Sequence, residues 1–156
     1  MHFVYFVIFV ILLQIWGLYL FKIKAIDHIV IRARDIERLI EFYRDVLGCL
    51  VEKRVDAIGL VHLRAGQSLI DLVSVEGKLG RMGGSPPGIE GLNMDHFCLR
   101  IEPFNLEEIR HHLKQHGIDA GELHMNFGAE GDGPSIYIKD PEGNVIELKA
   151  PSINSE

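Results

Sequence analysis

Cysteine is scarce in this chain. There are two among 156 residues, Cys49 and Cys98, in different halves and in no CxxC. They read as small buried apolar residues of a reducing compartment, with a single bridge between them left open. Positive charge is short as well. Sixteen Lys and Arg stand against 22 Asp and Glu, for a net charge of -6. With a pI near 5.7 and no basic stripe, the chain lacks the footprint of a nucleic-acid binder. Long apolar runs are missing with one exception, Phe3 to Phe21, whose only clearly polar member is Gln14. No basic segment precedes that run and no small-residue cleavage site follows it, which argues against a secretory signal.

Nineteen helical residues span about 28 Å, close to the hydrocarbon thickness of a bilayer. Residues 1–22 therefore read as a hydrophobic leader in one of two ways. One is a single-pass anchor through residues 3–21, with Lys22 and Lys24 keeping the following domain in the cytoplasm. The other is an over-long reading of the start, with a cytoplasmic domain beginning near Ile23 or Lys24. No methionine lies between Met1 and Met82, so the second reading needs a different start codon.

The remaining length and composition fit one globular domain. From 23 to 76 the order is β-α-β-β-β. Residues 25–32 alternate and are rich in branched side chains, which predicts a strand with His28, Val30 and Arg32 on one face. Asp35 is a good N-cap for an apolar stripe at Ile36, Leu39, Ile40, Tyr43, Val46 and Leu47, and Gly48 stops the helix. Strands are expected at 50–55, 60–64 and 69–73. Residues 77–93 form a linker too rich in glycine and proline for a continuous helix or strand.

Residues 94–151 repeat the pattern. A strand over 94–101 is followed by Asn105 and Glu108, a capping-box-like pair, and by a helical stripe at Leu106, Ile109 and Leu113 that Gly117 ends. Strands are expected at 121–126, 135–138 and 145–149, with a mobile-looking glycine loop over 128–134. Residues 152–156 are a tail. Asp27-His28 and Asp95-His96 open the two halves, and Ile70-Asp71-Leu72 and Ile146-Glu147-Leu148 close them. The offset between equivalent positions is 68 at the histidines, 70 at the caps, 69 at the helix stops and 76 at the carboxylates. It holds within two residues through strand and helix and is larger only after further loops, the mark of a duplicated module.

Two histidines and two carboxylates in equivalent places suggest a metal centre. A carboxylate flanked by apolar residues is costly to bury unpaired, and a divalent cation supplies a partner. Imidazole with carboxylate suits Zn, Ni, Co, Mn or Fe. A lone strand histidine is more often packed or solvated than a ligand; the equivalence between repeats lifts His28, Asp71, His96 and Glu147 above that. If the two sheets combine into one trough, all four reach its concave side. His62 and Tyr137 align with each other between the halves and are candidate cavity-lining, substrate-binding residues. His111, His112 and His116 fall on the second helix and read as solvated, and His124 as surface.

These features resemble the vicinal oxygen chelate superfamily, which includes glyoxalase I, bleomycin-resistance proteins and extradiol dioxygenases. The resemblance rests on Asp27-His28-Ile29-Val30, Glu41-Phe42-Tyr43-Arg44-Asp45-Val46-Leu47-Gly48, Asp95-His96 and Asp140-Pro141-Glu142-Gly143-Asn144, and covers nearly all of 23–151. It implies an α+β fold of two tandem βαβββ modules forming a trough-like mixed sheet. It also implies one divalent metal ion on His28, Asp71, His96 and Glu147. The chemistry implied is that of a glyoxalase-type lyase or isomerase. In it Glu147 takes and returns a proton while the metal stabilises an enediolate of a substrate with vicinal oxygens, such as a glutathione hemithioacetal.

Where Asp71 stands the glyoxalase I pattern carries glutamate, one methylene longer. Without Asp71 the set is His28, His96 and Glu147. That triad resembles Fe(II) ring-cleaving dioxygenases and Mn-dependent fosfomycin-resistance thiol transferases. A non-enzymatic drug-binding resistance protein is the third alternative, which the retained ligand residues oppose. The resemblance further implies a small-molecule substrate and a homodimer, with sites shared between subunits.

Overall fold

A computed structural model of the chain describes residues 20–153. The expected leader lies almost wholly outside the described residues. Among the described residues, no helix is long and apolar enough to cross a membrane.

The first module runs β1 (His28–Ala33), α1 (Ile36–Glu41), β2 (Leu50–Val55), β3 (Leu60–Ala65) and β4 (Ser68–Ser74). The second runs β5 (Phe97–Arg100), α2 (Leu106–Gln115), β6 (His124–Gly128), β7 (Gly131–Lys139) and β8 (Val145–Lys149). Each makes one four-stranded mixed sheet, ordered β1-β4-β3-β2 and β5-β8-β7-β6. The first and last strands of each module pair in parallel and the rest are antiparallel.

Both helices start where the caps predict. Asp35 accepts from the Arg38 amide and Asn105 from the Glu108 amide, each satisfying one of the free N–H groups of a first turn. Gly48 and Gly117 follow with φ near +70°, the left-handed conformation in which glycine carries no side-chain penalty. Between α1 and Gly48 the structure departs from the expected α-helix. Residues Phe42–Val46 form a wider π-helical turn. Phe42 and Tyr43 in that turn are both buried, as are Leu39 and Ile40 before it.

The segment expected to be a mobile loop over 128–134 is instead the end of a hairpin, with Gly128 paired to Gly131 and β7 running on from there. Its glycines serve close packing. A Cβ on Gly133 would lie 2.6 Å from Lys149 Nζ and 2.7 Å from the Pro151 carbonyl oxygen. Both cysteines are free; Cys49 is buried as expected, but Cys98 is exposed on a polar sheet face. The linker, too irregular for a strand, still folds against β1: the Arg32 guanidinium donates to the carbonyls of Gly80, Gly84 and Ser85.

Period-two alternation decides which side chains each sheet buries. In the first sheet Ile31, Ile70, Leu72, Val61 and Leu63 enter the core. In the second, Ile136, Ile138, Ile146 and Leu148 enter the same core, together with Leu39, Tyr43 and Leu113 from the helical segments. The two sheets thus share one apolar interior, and no strand pairing joins them among the described residues. The expected pair of βαβββ modules is present as two four-stranded mixed sheets. Each sheet turns its apolar face to the common core, so its polar face looks away from it. Buried polar ties lock this arrangement. Tyr43 donates to Asp140, whose carboxylate also receives Glu142 N, Asn144 N and Asn144 Nδ2. The Glu142 carboxylate accepts from the amides of Arg34 and Asp35. Asp140-Pro141-Glu142-Gly143-Asn144 is therefore the joint between the modules as well as a turn.

Candidate metal centre

The polar face of the second sheet is built around Glu147. In the ladder it stands opposite Cys98 on β5 and opposite Tyr137 on β7, so all three project to one side. His96, two residues before Cys98, lies just ahead of β5. His96 Nε2 and Glu147 Oε2 are 3.5 Å apart. Asn126 Nδ2 lies 3.0 Å from Glu147 Oε1 and 2.8 Å from both Ser135 Oγ and Tyr137 Oη. The rings of His96 and His124 each meet Tyr137 edge-on, at centroid separations of 5.6 and 5.9 Å.

Glu147 is only 6% exposed. Burial pushes its pKa up, yet hydrogen bonds from Asn126, Ser135 and Cys98 and the nearby His96 outweigh it and hold the carboxyl below its ordinary value. Glu147 is thus a preserved anion under a polar surface. Burial, and then the same anion, to which the phenol hydrogen-bonds, raise the Tyr137 pKa.

The first sheet carries the equivalent face. Asp71 lies opposite Val30 on β1 and opposite His62 on β3. It is 5% exposed, and its Oδ1 lies 2.7 Å from His62 Nδ1. His28 is half exposed at the mouth of the face. Its pKa is raised, chiefly by its hydrogen bond to Asp27 and further by the charge on Asp71.

The four residues expected to bind metal are therefore placed as two pairs, His28 with Asp71 and His96 with Glu147. Among the described residues, no three His, Cys, Asp or Glu side chains come together as a ready cation site. His62 and Tyr137 do occupy matching positions, each opposite its module's carboxylate. His124 is exposed, as expected, and its ring meets Tyr137. His112, expected to be solvated, is exposed but bonds the Val46 carbonyl from Nε2 at 2.8 Å.

Asn126, Ser135 and Cys98 were not singled out from sequence. A signal existed for Cys98, because alternation puts it on the face of His96. No sequence signal marks Asn126, since its role depends on the β6–β7 register. For His62 and Asp71 the tight turn at Gly66-Gln67 pairs Ala65 with Ser68 and so sets the register that brings them together.

The donor set of the second sheet fits a divalent cation. A carboxylate can only accept, so His96 Nδ1, 2.6 Å from Asp95 Oδ2, donates, and Nε2, turned toward Glu147, is the nitrogen that would take a cation. A tetrahedral ion with ligand bonds near 2.1 Å holds its donors about 3.4 Å apart, close to the 3.5 Å observed between His96 Nε2 and Glu147 Oε2. The carboxylate behind each imidazole is the outer shell that metal-binding histidines characteristically have.

The virulence protein STM3117 of Salmonella typhimurium is 33% identical over 129 residues, covering 81% of this chain and 83% of that protein. Its crystal structure superposes with a TM-score of 0.67 over 85% of this chain and all of that one, at 29% identity. The mitochondrial methylmalonyl-CoA epimerase of Mus musculus is 26% identical over 134 residues, 82% of this chain and 74% of that enzyme. A family model spans residues 25–148, nearly all of both modules. By that match the chain belongs to the Glyoxalase/Bleomycin resistance protein/Dioxygenase superfamily.

Proposed function

We propose that this chain is a divalent-metal-dependent enzyme of the isomerase or lyase kind. It acts on a small substrate with two vicinal oxygens by moving a proton on the carbon beside a carbonyl. The observation that carries this reading is the His96–Glu147 pair, 3.5 Å apart, in which the imidazole is backed by Asp95 and the carboxylate is held ionised.

His28 and Asp71 complete the set from the first sheet. The bound ion would hold the two substrate oxygens and stabilise negative charge developing between them. The protein's own residues do the rest. Glu147 Oε1 is anchored by Asn126, which fixes the carboxylate plane and leaves Oε2 toward His96. An ionised carboxylate so placed takes a proton and returns it. Tyr137 stands beside Glu147 as a protonated hydroxyl, suited to donate to a substrate oxygen. An epimerase on a thioester and a glyoxalase on a glutathione hemithioacetal share this first proton transfer; the likeness to methylmalonyl-CoA epimerase and the match to the glyoxalase superfamily model support it.

Among the described residues the two pairs do not meet in one group of three or more ligands, so we assign the working site to two copies, with the first face of one meeting the second face of the other. The full chain loaded with Zn, Ni, Co, Mn or Fe in turn should catalyse exchange of the proton beside the carbonyl for solvent deuterium, read by NMR on a panel of 2-oxoaldehyde hemithioacetals and acyl thioesters. Exchange in the metal-loaded wild type that survives in Glu147→Gln would overturn Glu147 as the base. Light scattering should give a dimer, and a monomer with full metal affinity would overturn the shared site.

Asp71 is already engaged by His62, which favours a second reading on His28, His96 and Glu147 alone. Oxygen consumption by the Fe(II)-loaded chain, or thiol addition to an epoxide by the Mn-loaded chain, would mark it.

A further inference from the structure

We propose that His62, and not Asp71, is the first-module donor facing the cation beside His28. Asp71 is then a positioning residue that holds the imidazole. The inference rests on the metal reading above and names a ligand that reading did not include.

Three observations converge. The first is the register: His62 stands directly opposite Asp71, as Tyr137 stands opposite Glu147. In the second module the carboxylate is the long member at this place and reaches His96 itself. In the first module the carboxylate is one methylene shorter and an imidazole fills the phenol's position. Second, the His62 side chain is 22% exposed and that of Asp71 only 8%, so the ring stands nearer the open face.

The third is a pattern shared by three histidines. His28 Nδ1 lies 2.8 Å from Asp27, His96 Nδ1 lies 2.6 Å from Asp95, and His62 Nδ1 lies 2.7 Å from Asp71. A carboxylate only accepts, so each Nδ1 donates, and Nε2 is the nitrogen each ring has left to offer a cation. That is the tautomer and support a metal-binding histidine needs. In that pattern Asp71 plays the part of Asp27 and Asp95, which stand behind a ligand. Asp71 Oδ1 is already committed to His62, and its short carboxylate is the more buried of the two side chains.

The test uses the full chain loaded with Co(II). Paramagnetic proton NMR counts exchangeable imidazole N–H resonances shifted by the metal. Three are expected, from His28, His62 and His96, falling to two in His62→Gln. Two in the wild type, unchanged in His62→Gln, overturn the proposal. Calorimetric titration with Co(II) adds an independent arm. Asp71→Asn keeps an oxygen that accepts from Nδ1, so its affinity should drop by about 10- to 100-fold at most, the range for outer-shell losses. His62→Gln should lose as much as His96→Gln. An Asp71→Asn loss matching His96→Gln, with His62→Gln binding normally, overturns it too. Retained Co(II) in the wild type with loss in His96→Gln shows that the metal reading stands whatever happens at His62. No Co(II) uptake by the wild type overturns both.

Discussion

The two halves of this chain build the same kind of sheet with a carboxylate on its polar face, and the cross-strand pair that includes this carboxylate separates them. In the second half the pair is Tyr137 with Glu147; in the first it is His62 with Asp71. Glu147 is held by amide, hydroxyl and thiol groups and keeps an oxygen 3.5 Å from His96. Asp71 is buried against an imidazole instead. A duplicated scaffold can therefore keep its backbone and exchange which member of a pair is the reaching group. The exchange costs one methylene on one strand and a ring on the next.

The largest effect expected from breaking this comparison is at Glu147. Glu147→Gln preserves shape and hydrogen bonding but removes the base, so turnover should fall by about 10²- to 10⁴-fold, measured on metal-saturated protein. Next is an exchange of one half for the other. His62→Tyr alone should lose metal, and adding Asp71→Glu should restore most of it, because the first face then repeats the second. Calorimetric titration of the two variants checks this; a double variant no better than the single one would show that the halves are not interchangeable.

A smaller effect is expected at the joint between the halves. Tyr43→Phe removes the buried bond to Asp140, which keeps its other donors, and should cost about 1 kcal/mol in urea unfolding. Smaller still is the pH dependence of the metal-free chain. Glu147 is held below its ordinary value of 4.5, so its favourable contribution is present above that pH. It is lost as pH falls through the lower folded value. The stability difference between wild type and Glu147→Gln, followed by thermal unfolding, should shrink over that acid range and be flat above it. The smallest effect is at His28, whose pKa is raised above 6.5 chiefly by Asp27. Its ring should titrate above 6.5 by NMR in metal-free protein, and Asp27→Asn should bring it back. A favourable term of this sign is present below 6.5 and lost as pH rises through the folded value. On so exposed a side chain it belongs to the titration curve and not to stability.

Much of the fold was legible because its signals are local. Alternation at 25–32 and 145–149, the caps at Asp35 and Asn105 and the helix stops at Gly48 and Gly117 need no distant partner. The candidate pairs were legible for the same reason, since a period of two puts Asp71 opposite in sense to Ile70 and Leu72. Two local readings failed where distant atoms decided. The glycines near 128–134 are small because Lys149 and Pro151 press on them, not because the loop moves. Residues Phe42–Val46 leave α geometry for a wide turn that helical spacing does not anticipate.

By itself the sequence determined the duplicated module, its strands and caps, and the residue types on each polar face, because each follows from chain geometry within a few residues. Only the tertiary structure decided that both apolar faces share one core and both polar faces look away from it. It also decided that Asp71 is engaged by His62 and that Asn126 holds Glu147. Those outcomes depend on which surfaces hide most apolar area together and on registers between strands, and no stretch of sequence carries either alone.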